Sequence, residues 1–162
     1  MAGWPSVRHE VADERLHHAL TRARACHLVQ EELPALVALA ELHRRRGEVQ
    51  RARDVLADVW EPAERGPYPM FHADGLNLLA RIERDAGNKP AAVEAATEAY
   101  RLAWCDGPPF AYHWSLERAR SHLAELEAPE PQLEPLDESK FDPMPQIEIN
   151  PPDEFGLEAE VT

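Results

Sequence analysis

The chain has 162 residues, of which 44% are hydrophobic and 29% charged, and its formal net charge is −13. This length allows one domain and a tail, with a folded part large enough for a continuous core. The negative charge argues against nucleic-acid binding, because affinity for phosphates comes mainly from clustered Lys and Arg. No apolar run approaches the roughly 18 residues that a membrane-spanning helix requires, so we expect no membrane insertion.

The N-terminal region divides into a polar segment and a helix. Residues 1–13 are polar and too short to form a complete helix of a pair. From Glu14 to about Gln30, small and apolar residues recur at helical spacing, which predicts a helix that resembles the second member of a helix pair. Such a helix leaves one face uncovered. We therefore expect a longer array, or a cap formed by residues 1–13 or by another subunit.

Residues 70–101 predict two amphipathic helices joined by a tight turn at Gly87. The same pattern occurs forty residues earlier, where Gly47 takes the place of Gly87 and Ala52 takes the place of Ala92. A third, partial copy follows towards the C-terminal end. A period of about forty residues is typical of stacked helix pairs.

Two loops are expected between these helices. Pro62 to Met70 contains three prolines and Gly66, and Trp104 to Pro109 contains Gly107 followed by two prolines. Glycine ends a helix at little cost, and proline prevents the helix from resuming. The first of these loops would make the repeat longer than a regular helix pair.

The repeated residues resemble the tetratricopeptide repeat (TPR) family. The shared pattern is a large residue followed by Leu-Ala in the first helix, a glycine at the turn and an alanine early in the second helix. It covers roughly residues 14–127, although the usual aromatic residue is Leu36 or Leu76 here and the repeat-closing proline is absent. The resemblance implies an all-α fold, an α-solenoid of antiparallel helix pairs with about five helices. The whole is also similar to the C-terminal repeat region of bacterial STAND/NACHT-type signalling ATPases.

In the TPR family the first helices line a concave side that binds extended peptides. The resemblance places nine residues of this chain on that side: Val37, Glu41, Arg44, Asp74, Asn77, Arg81, Arg84, Ser115 and Arg118. The candidate protein-binding residues among them are Arg44, Asp74, Asn77, Arg81, Arg84 and Arg118. The four arginines predict an acidic peptide as the partner, because guanidinium groups bind carboxylates through two parallel hydrogen bonds. The alternative for all of these residues is an ordinary solvated helix face.

No motif predicts catalysis or a cofactor. Cys105 and His113 offer a nucleophile and a base, but no oxyanion-type glycine-rich context surrounds Cys105, so we expect a buried structural thiol. The eight histidines show no paired metal-ligand spacing, and the chain contains no GxxxxGK[ST] phosphate loop. We therefore expect no enzyme, no metal site and no cofactor. Cys26 and Cys105 form no CxxC pair, which predicts a reduced, cytoplasmic protein.

Residues 128–162 differ in composition from the rest of the chain. They contain seven of the fifteen prolines and ten acidic residues against a single lysine. This composition is typical of an extended, solvated terminus. Apolar residues are nevertheless spread through it, and we hypothesise that part of Leu133–Ile149 lies along the helices as an extended strap. A second hypothesis is that the acidic tail occupies the concave groove and competes with partners.

Together these patterns predict a protein–protein interaction module that binds a peptide or protein partner. By the resemblance, it would be the sensor or scaffold part of a larger bacterial-type signalling system. The alternative is a structural subunit that forms a homo-oligomer by stacking its uncapped ends, Leu16–Leu20 and Leu123–Leu126. The two functions differ in the surface that binds, which is the concave arginines in the first and the terminal leucines in the second.

Overall fold

The computed structural model describes residues 6–140, and within this range the chain forms α-helices and one short 3-10 helix but no strand. The α-helices are α1 (Ser6–Ala25), α2 (Val29–Arg45), α3 (Val49–Arg65), α4 (Pro69–Asp85), α5 (Lys89–Trp104) and α6 (His113–Glu125). The predicted all-α fold class is confirmed. None of the described helices is both long enough and apolar enough to cross a lipid bilayer. The predictions for residues 1–5 and 141–162 lie outside the described residues.

The first helix is longer at its start and shorter at its end than predicted. The sequence predicted a polar segment over residues 1–13 and a helix over 14–30, whereas α1 spans Ser6–Ala25. The early part of α1 is held against α2, because the Asp13 carboxylate forms an ion pair with Arg46. Residues 26–28 then reverse the chain into α2. In all, the described residues contain six α-helices instead of the predicted number of about five.

The same type of turn follows four of the six helices. In each turn one residue has a positive φ: His27 (54°), Gly47 (76°), Gly87 (77°) and Glu127 (55°). After α4, the backbone N–H of Asn88 donates to the backbone carbonyl of Glu83 at 2.8 Å, and the backbone N–H of Gly87 donates to that of Arg84 at 2.9 Å. These two bonds satisfy carbonyl groups that the end of a helix leaves unpaired, an arrangement known as the Schellman motif. The two glycine turns were predicted, and those at His27 and Glu127 were not.

The predicted loop from Pro62 to Met70 is wrong over most of its length. Helix α3 continues through Pro62 to Arg65, and only residues 66–68 separate it from α4. Proline disfavours a helix interior because it lacks an N–H and crowds the preceding turn. Here Ala63 is 4% exposed and packs in the core, so tertiary packing keeps this last turn helical. As a result α2, α3, α4 and α5 begin at residues 29, 49, 69 and 89, a regular spacing of twenty.

Helix packing follows a simple order. Each helix packs against the next one along the chain, and α2 also packs against α4, and α4 against α6. Among the described residues, α1, α3 and α5 make no comparable backbone contact with one another. Helices α2, α4 and α6 therefore form one layer, the α2–α4–α6 layer, and α1, α3 and α5 lie on its other side.

A continuous core lies between the two sides. One cluster of buried residues, centred on Leu56, joins α1 to α4, and a second, centred on Leu116, joins α4 to α6. Trp60 and Leu79 pack against both clusters. The face of α5 in the second cluster consists mainly of small residues, which lets α5 approach its neighbours closely: Ala95, Ala96, Ala99 and Ala103.

The leucines expected to form the stacking ends are mostly buried. Leu20, Leu123 and Leu126 are no more than 8% exposed, and Leu16 is partly buried. Past α6, residues 128–137 have no regular secondary structure and lie across α5 and α6, where Leu133 packs against the core. The strap was hypothesised within Leu133–Ile149; residues 133–137 of that range lie along the helices, and residues 141–149 lie outside the described residues.

Candidate functional site

An open groove runs across the α2–α4–α6 layer. Its volume is about 380 Å³, which is within the range of ligand-binding clefts in proteins. Residues of all three helices line it: Val37, Glu41, Arg45, Asp74, Asn77, Leu78, Arg81, Arg118 and His122. Four of the six predicted binding residues lie in this groove: Asp74, Asn77, Arg81 and Arg118.

Asn77 forms part of the groove floor and is 2% exposed. Its amide group donates hydrogen bonds to the Ser115 carbonyl at 3.0 Å and to Ser115 Oγ at 2.7 Å, which joins α4 to α6. Asn77 Oδ1 is buried and accepts no hydrogen bond from a described residue. The amide donors of Asn77 therefore hold the two helices together, although the sequence predicted that they bind a partner.

Asp74 lies on the same side of α4, three residues before Asn77. Its Oδ2 accepts a hydrogen bond from the Tyr112 hydroxyl at 3.2 Å, while Oδ1 is buried and finds no donor of good geometry among the described residues. Burial raises the pKa of the Asp74 carboxyl, against the opposing influence of the Ser115 and Tyr112 hydroxyls and of the Arg118 charge. The groove floor thus holds two buried acceptor oxygens without a well-placed donor within residues 6–140.

Glu41 on α2 is the most strongly engaged acid of the groove. It accepts hydrogen bonds from Arg44 at 2.7 Å and from Arg45 at 2.6 Å, and Arg81 lies 3.4 Å away. Burial alone would raise the pKa of this carboxyl, but the bonds from Arg44 and Arg45 and the charge of Arg81 lower it to about 2. Glu41 is therefore ionised at neutral pH.

Two guanidinium groups of the groove are incompletely paired. Arg81 forms one ion pair with a described residue, the 3.4 Å contact with Glu41, and burial lowers the pKa of its guanidinium. Arg118 forms no ion pair within residues 6–140, and its guanidinium lies 4.9 Å from the ring centroid of Trp114. The Trp114 side chain is 64% exposed. The groove therefore contains two incompletely paired cations, and an exposed indole lies beside one of them.

Arg44 and Arg84 lie outside the groove in which the sequence placed them. Arg44 forms ion pairs with Glu41 and Asp85, and Arg84 forms one with Glu125. Arg44 and Arg84 are forty residues apart, as are Asp85 and Glu125, so the same ion pair links α2 to α4 and α4 to α6. These two arginines connect neighbouring helices of the layer.

Arg45, Leu78 and His122 line the groove but were absent from the prediction. Arg45 follows Arg44 by one residue, which is a rotation of about 100° around the helix axis. Each missed residue lies four positions after a residue that was placed on the concave side: Arg45 after Glu41, Leu78 after Asp74 and His122 after Arg118. The i, i+4 spacing is the signal that could have identified them.

The two cysteines are free, and each lies just after the end of a helix, Cys26 after α1 and Cys105 after α5. Cys105 was expected to be buried but is exposed, because it has a φ of 51° and lies directly after the last residue of α5. Cys26 is exposed as well, in the turn after α1. Within residues 6–140, no group of three or more His, Cys, Asp or Glu is arranged to hold a metal ion.

Comparisons of the chain with family models, with curated proteins and with solved structures found no match. The groove across the α2–α4–α6 layer is therefore the site from which a function is proposed.

Proposed function

We propose that this chain is a protein-interaction module with TPR-like stacked helix pairs, and that it binds an extended acidic peptide in the groove of the α2–α4–α6 layer. The observation that carries this proposal is the incomplete pairing of Arg81 and Arg118. Arg118 has no ion-pair partner in the described part of the chain, and the one partner of Arg81 is 3.4 Å away. A carboxylate of a bound peptide supplies the missing partner.

Local charge decides this binding, not the net charge of −13. At physiological salt, exposed charges more than about 8 Å apart are largely screened from each other, so the groove responds mainly to its own arginines. Charge-assisted hydrogen bonds between guanidinium and carboxylate are about twice as strong as neutral ones. The exposed Trp114 adds apolar contact area beside Arg118.

Fluorescence anisotropy with a labelled peptide of alternating Glu and Ser tests the proposal. We expect Arg118→Ala and Arg81→Ala each to weaken binding by about tenfold, because each removes a charged hydrogen-bond donor. Arg65→Ala is the matched control, since the Arg65 side chain is 79% exposed on α3 and pairs with Glu61 of its own helix. Added salt should weaken binding to the wild-type chain. Equal affinities of the Arg118 and Arg65 variants would contradict the proposal.

The wider context of the module is a separate proposal. From the sequence resemblance alone, we propose that the module serves as the sensor or scaffold part of a larger signalling system in the cytoplasm. The alternative is end-to-end homo-oligomerisation through Leu16–Leu20 and Leu123–Leu126, of which Leu20, Leu123 and Leu126 are buried and Leu16 is partly exposed. Light scattering over a concentration range measures this directly, and we expect a constant monomer mass.

A further inference from the structure

The strap of residues 128–137 is held partly through its backbone. The Leu136 amide donates a hydrogen bond to the Asp106 carbonyl at 2.7 Å, and the Trp104 indole N–H donates to the Glu134 carbonyl at 3.4 Å. Contacts to the backbone of the strap favour an extended conformation and do not depend on its side chains. The region at the end of α5 therefore receives an extended segment.

A carboxylate of the strap adds a contact that depends on sequence. Glu130 accepts hydrogen bonds from the Tyr100 hydroxyl at 3.2 Å and from the Arg120 guanidinium at 3.2 Å. Tyr100 lies on α5 and Arg120 on α6, so one acidic side chain joins both helices to the strap. An acid at this place in a bound segment has a defined pair of donors.

Aromatic and apolar contacts complete the surface. The Tyr100 and Trp104 rings are stacked, with centroids 6.0 Å apart and planes 15° apart, and the Arg120 guanidinium lies 5.8 Å from the Tyr100 ring centroid. Leu133 of the strap packs into the same cluster. Pro135 lies so close to the α5–α6 loop that a methyl group on Gly107 would be 2.9 Å from its Cα. Paired aromatic rings beside proline-containing extended chain are typical of proline-rich peptide recognition.

This surface is distinct from the groove. On α6, Arg118 and His122 line the groove, whereas Arg120 faces the strap. Residues two positions apart on a helix are separated by about 200° and so point to nearly opposite sides. A ligand in the groove therefore does not contact the surface that the strap covers.

We propose that the α5–α6 face, defined by Tyr100, Trp104, Asp106 and Arg120, is a recognition surface for an extended, acidic, proline-rich segment of a partner protein. Residues 128–137 are its resident occupant and show the chemistry that it takes, an acid followed by an apolar residue and then by proline. A partner segment of this kind binds by displacing the strap.

The attachment of the strap is weak enough for displacement. Leu136 is 37% exposed and Leu133 is only half-buried. The ion pair of Arg120 with Glu130 joins side chains that are 34% and 47% exposed, and pairs of this kind contribute little to stability. The strap nevertheless competes strongly, because its covalent link to α6 gives it a high effective concentration.

Binding of a labelled peptide with the sequence of residues 128–140 to the full chain tests the proposal. We expect weak binding to the wild type, and binding about tenfold tighter to a variant whose strap is weakened by Glu130→Gln and Leu133→Ala. Adding Arg120→Gln to that variant should remove the gain, whereas Arg101→Gln, on the same helix as Tyr100 but outside the strap contacts, should leave it. A peptide carrying the same Gln and Ala changes is the control and should bind at least about tenfold more weakly.

A strap-weakened variant that binds no more tightly than the wild type would overturn the proposal. A doubling of its mass in light scattering without peptide binding would also overturn it, because the occupant would then be the strap of a second copy. If the variant does not fold, hydrogen exchange in the wild type decides the question. Excess peptide should speed exchange of the Leu136 amide, which the strap contact protects, and unchanged exchange at saturating peptide would refute displacement.

Discussion

At the scale of single residues, close partners determine the charge state and availability of each group. Glu41 is surrounded by three arginines, which lower the pKa of its carboxyl to about 2. Arg44, one of the three, is thereby committed to Glu41 and Asp85, while Arg118 forms no close ion pair within residues 6–140 and acts only at longer range on Asp74. The availability of an arginine for a partner depends on these local contacts, which its position on a helix face does not reveal.

The lowered pKa of Glu41 predicts a specific pH dependence of stability. Because the folded-state pKa is below the unfolded value of 4.5, ionised Glu41 stabilises the fold fully above about pH 5, and this contribution is lost as the pH falls towards 2. We expect Glu41→Gln to lower the free energy of unfolding by about 1–3 kcal/mol at pH 7, after a discount for solvent screening, and to have little effect at pH 2.

Urea unfolding of the wild type and this variant between pH 2 and pH 7 measures the difference. The exposed Glu94 on α5 gives a matched control, and Glu94→Gln should change stability little at any pH. If Glu41→Gln changed the free energy of unfolding by the same amount from pH 2 to pH 7, the prediction would be wrong, because the charge of Glu41 would then not be the source of its contribution to stability.

The repeat register taken from the TPR resemblance predicted the side of a helix more reliably than the individual residue. It placed Asp74, Asn77, Arg81 and Arg118 on one concave side, and these four residues line one groove. It selected Arg44, but Arg45 lines the groove. Adjacent residues are rotated by only about 100° around the helix axis, so a register error of one residue gives this result. It could not foresee that the Asn77 amide is used by Ser115, because that contact spans two helices and depends on how closely they approach.

At the scale of secondary-structure elements, the turns determine where each helix ends. Gly47 and Gly87 were readable in the sequence, because glycine is the residue that adopts a positive φ without strain. His27 and Glu127 make the same turn without glycine, so composition gave no signal and the end of α1 was predicted too late. Pro62 led to the opposite error, because a helix end was predicted there but α3 continues to Arg65. The burial of Ala63 outweighs the tendency of proline to end a helix.

Substitutions at these turns should change stability in opposite directions. We expect Gly87→Ala to lower the free energy of unfolding by about 1–2 kcal/mol, because a Cβ there meets no atom within 4 Å and backbone strain is the only cost. His27→Gly and Glu127→Gly relieve the same backbone strain and should raise the free energy of unfolding by up to about 1 kcal/mol. Ala86→Gly, next to Gly87 in ordinary helical conformation, is the control and should destabilise slightly. Thermal unfolding of the four variants measures these effects, and destabilisation by both His27→Gly and Glu127→Gly would contradict the account.

At the scale of the whole molecule, the stacking of helices creates two surfaces with different chemistry. The α2–α4–α6 layer forms a groove with two incompletely paired guanidinium groups, and the far side of α6 with α5 forms an aromatic surface that the strap covers. The forty-residue period predicted the paired helices, and the apolar residues spread through an otherwise solvated tail suggested a strap. The position of the strap could not be predicted, because it depends on Tyr100, Trp104 and Arg120, which meet only when α5 and α6 pack.

The central claim is that an acidic peptide binds in the groove, and the tryptophan indole N–H signals in an NMR titration test it most directly. Trp114 contacts Arg118, which lines the groove, and Trp104 donates its indole N–H to the strap, so the two rings report on the two surfaces separately. Substitution of each tryptophan by Phe assigns its signal. We predict that the alternating Glu and Ser peptide shifts the Trp114 signal and leaves that of Trp104 unchanged. A shift of Trp104 without a shift of Trp114 would place the peptide on the strap surface and contradict the claim.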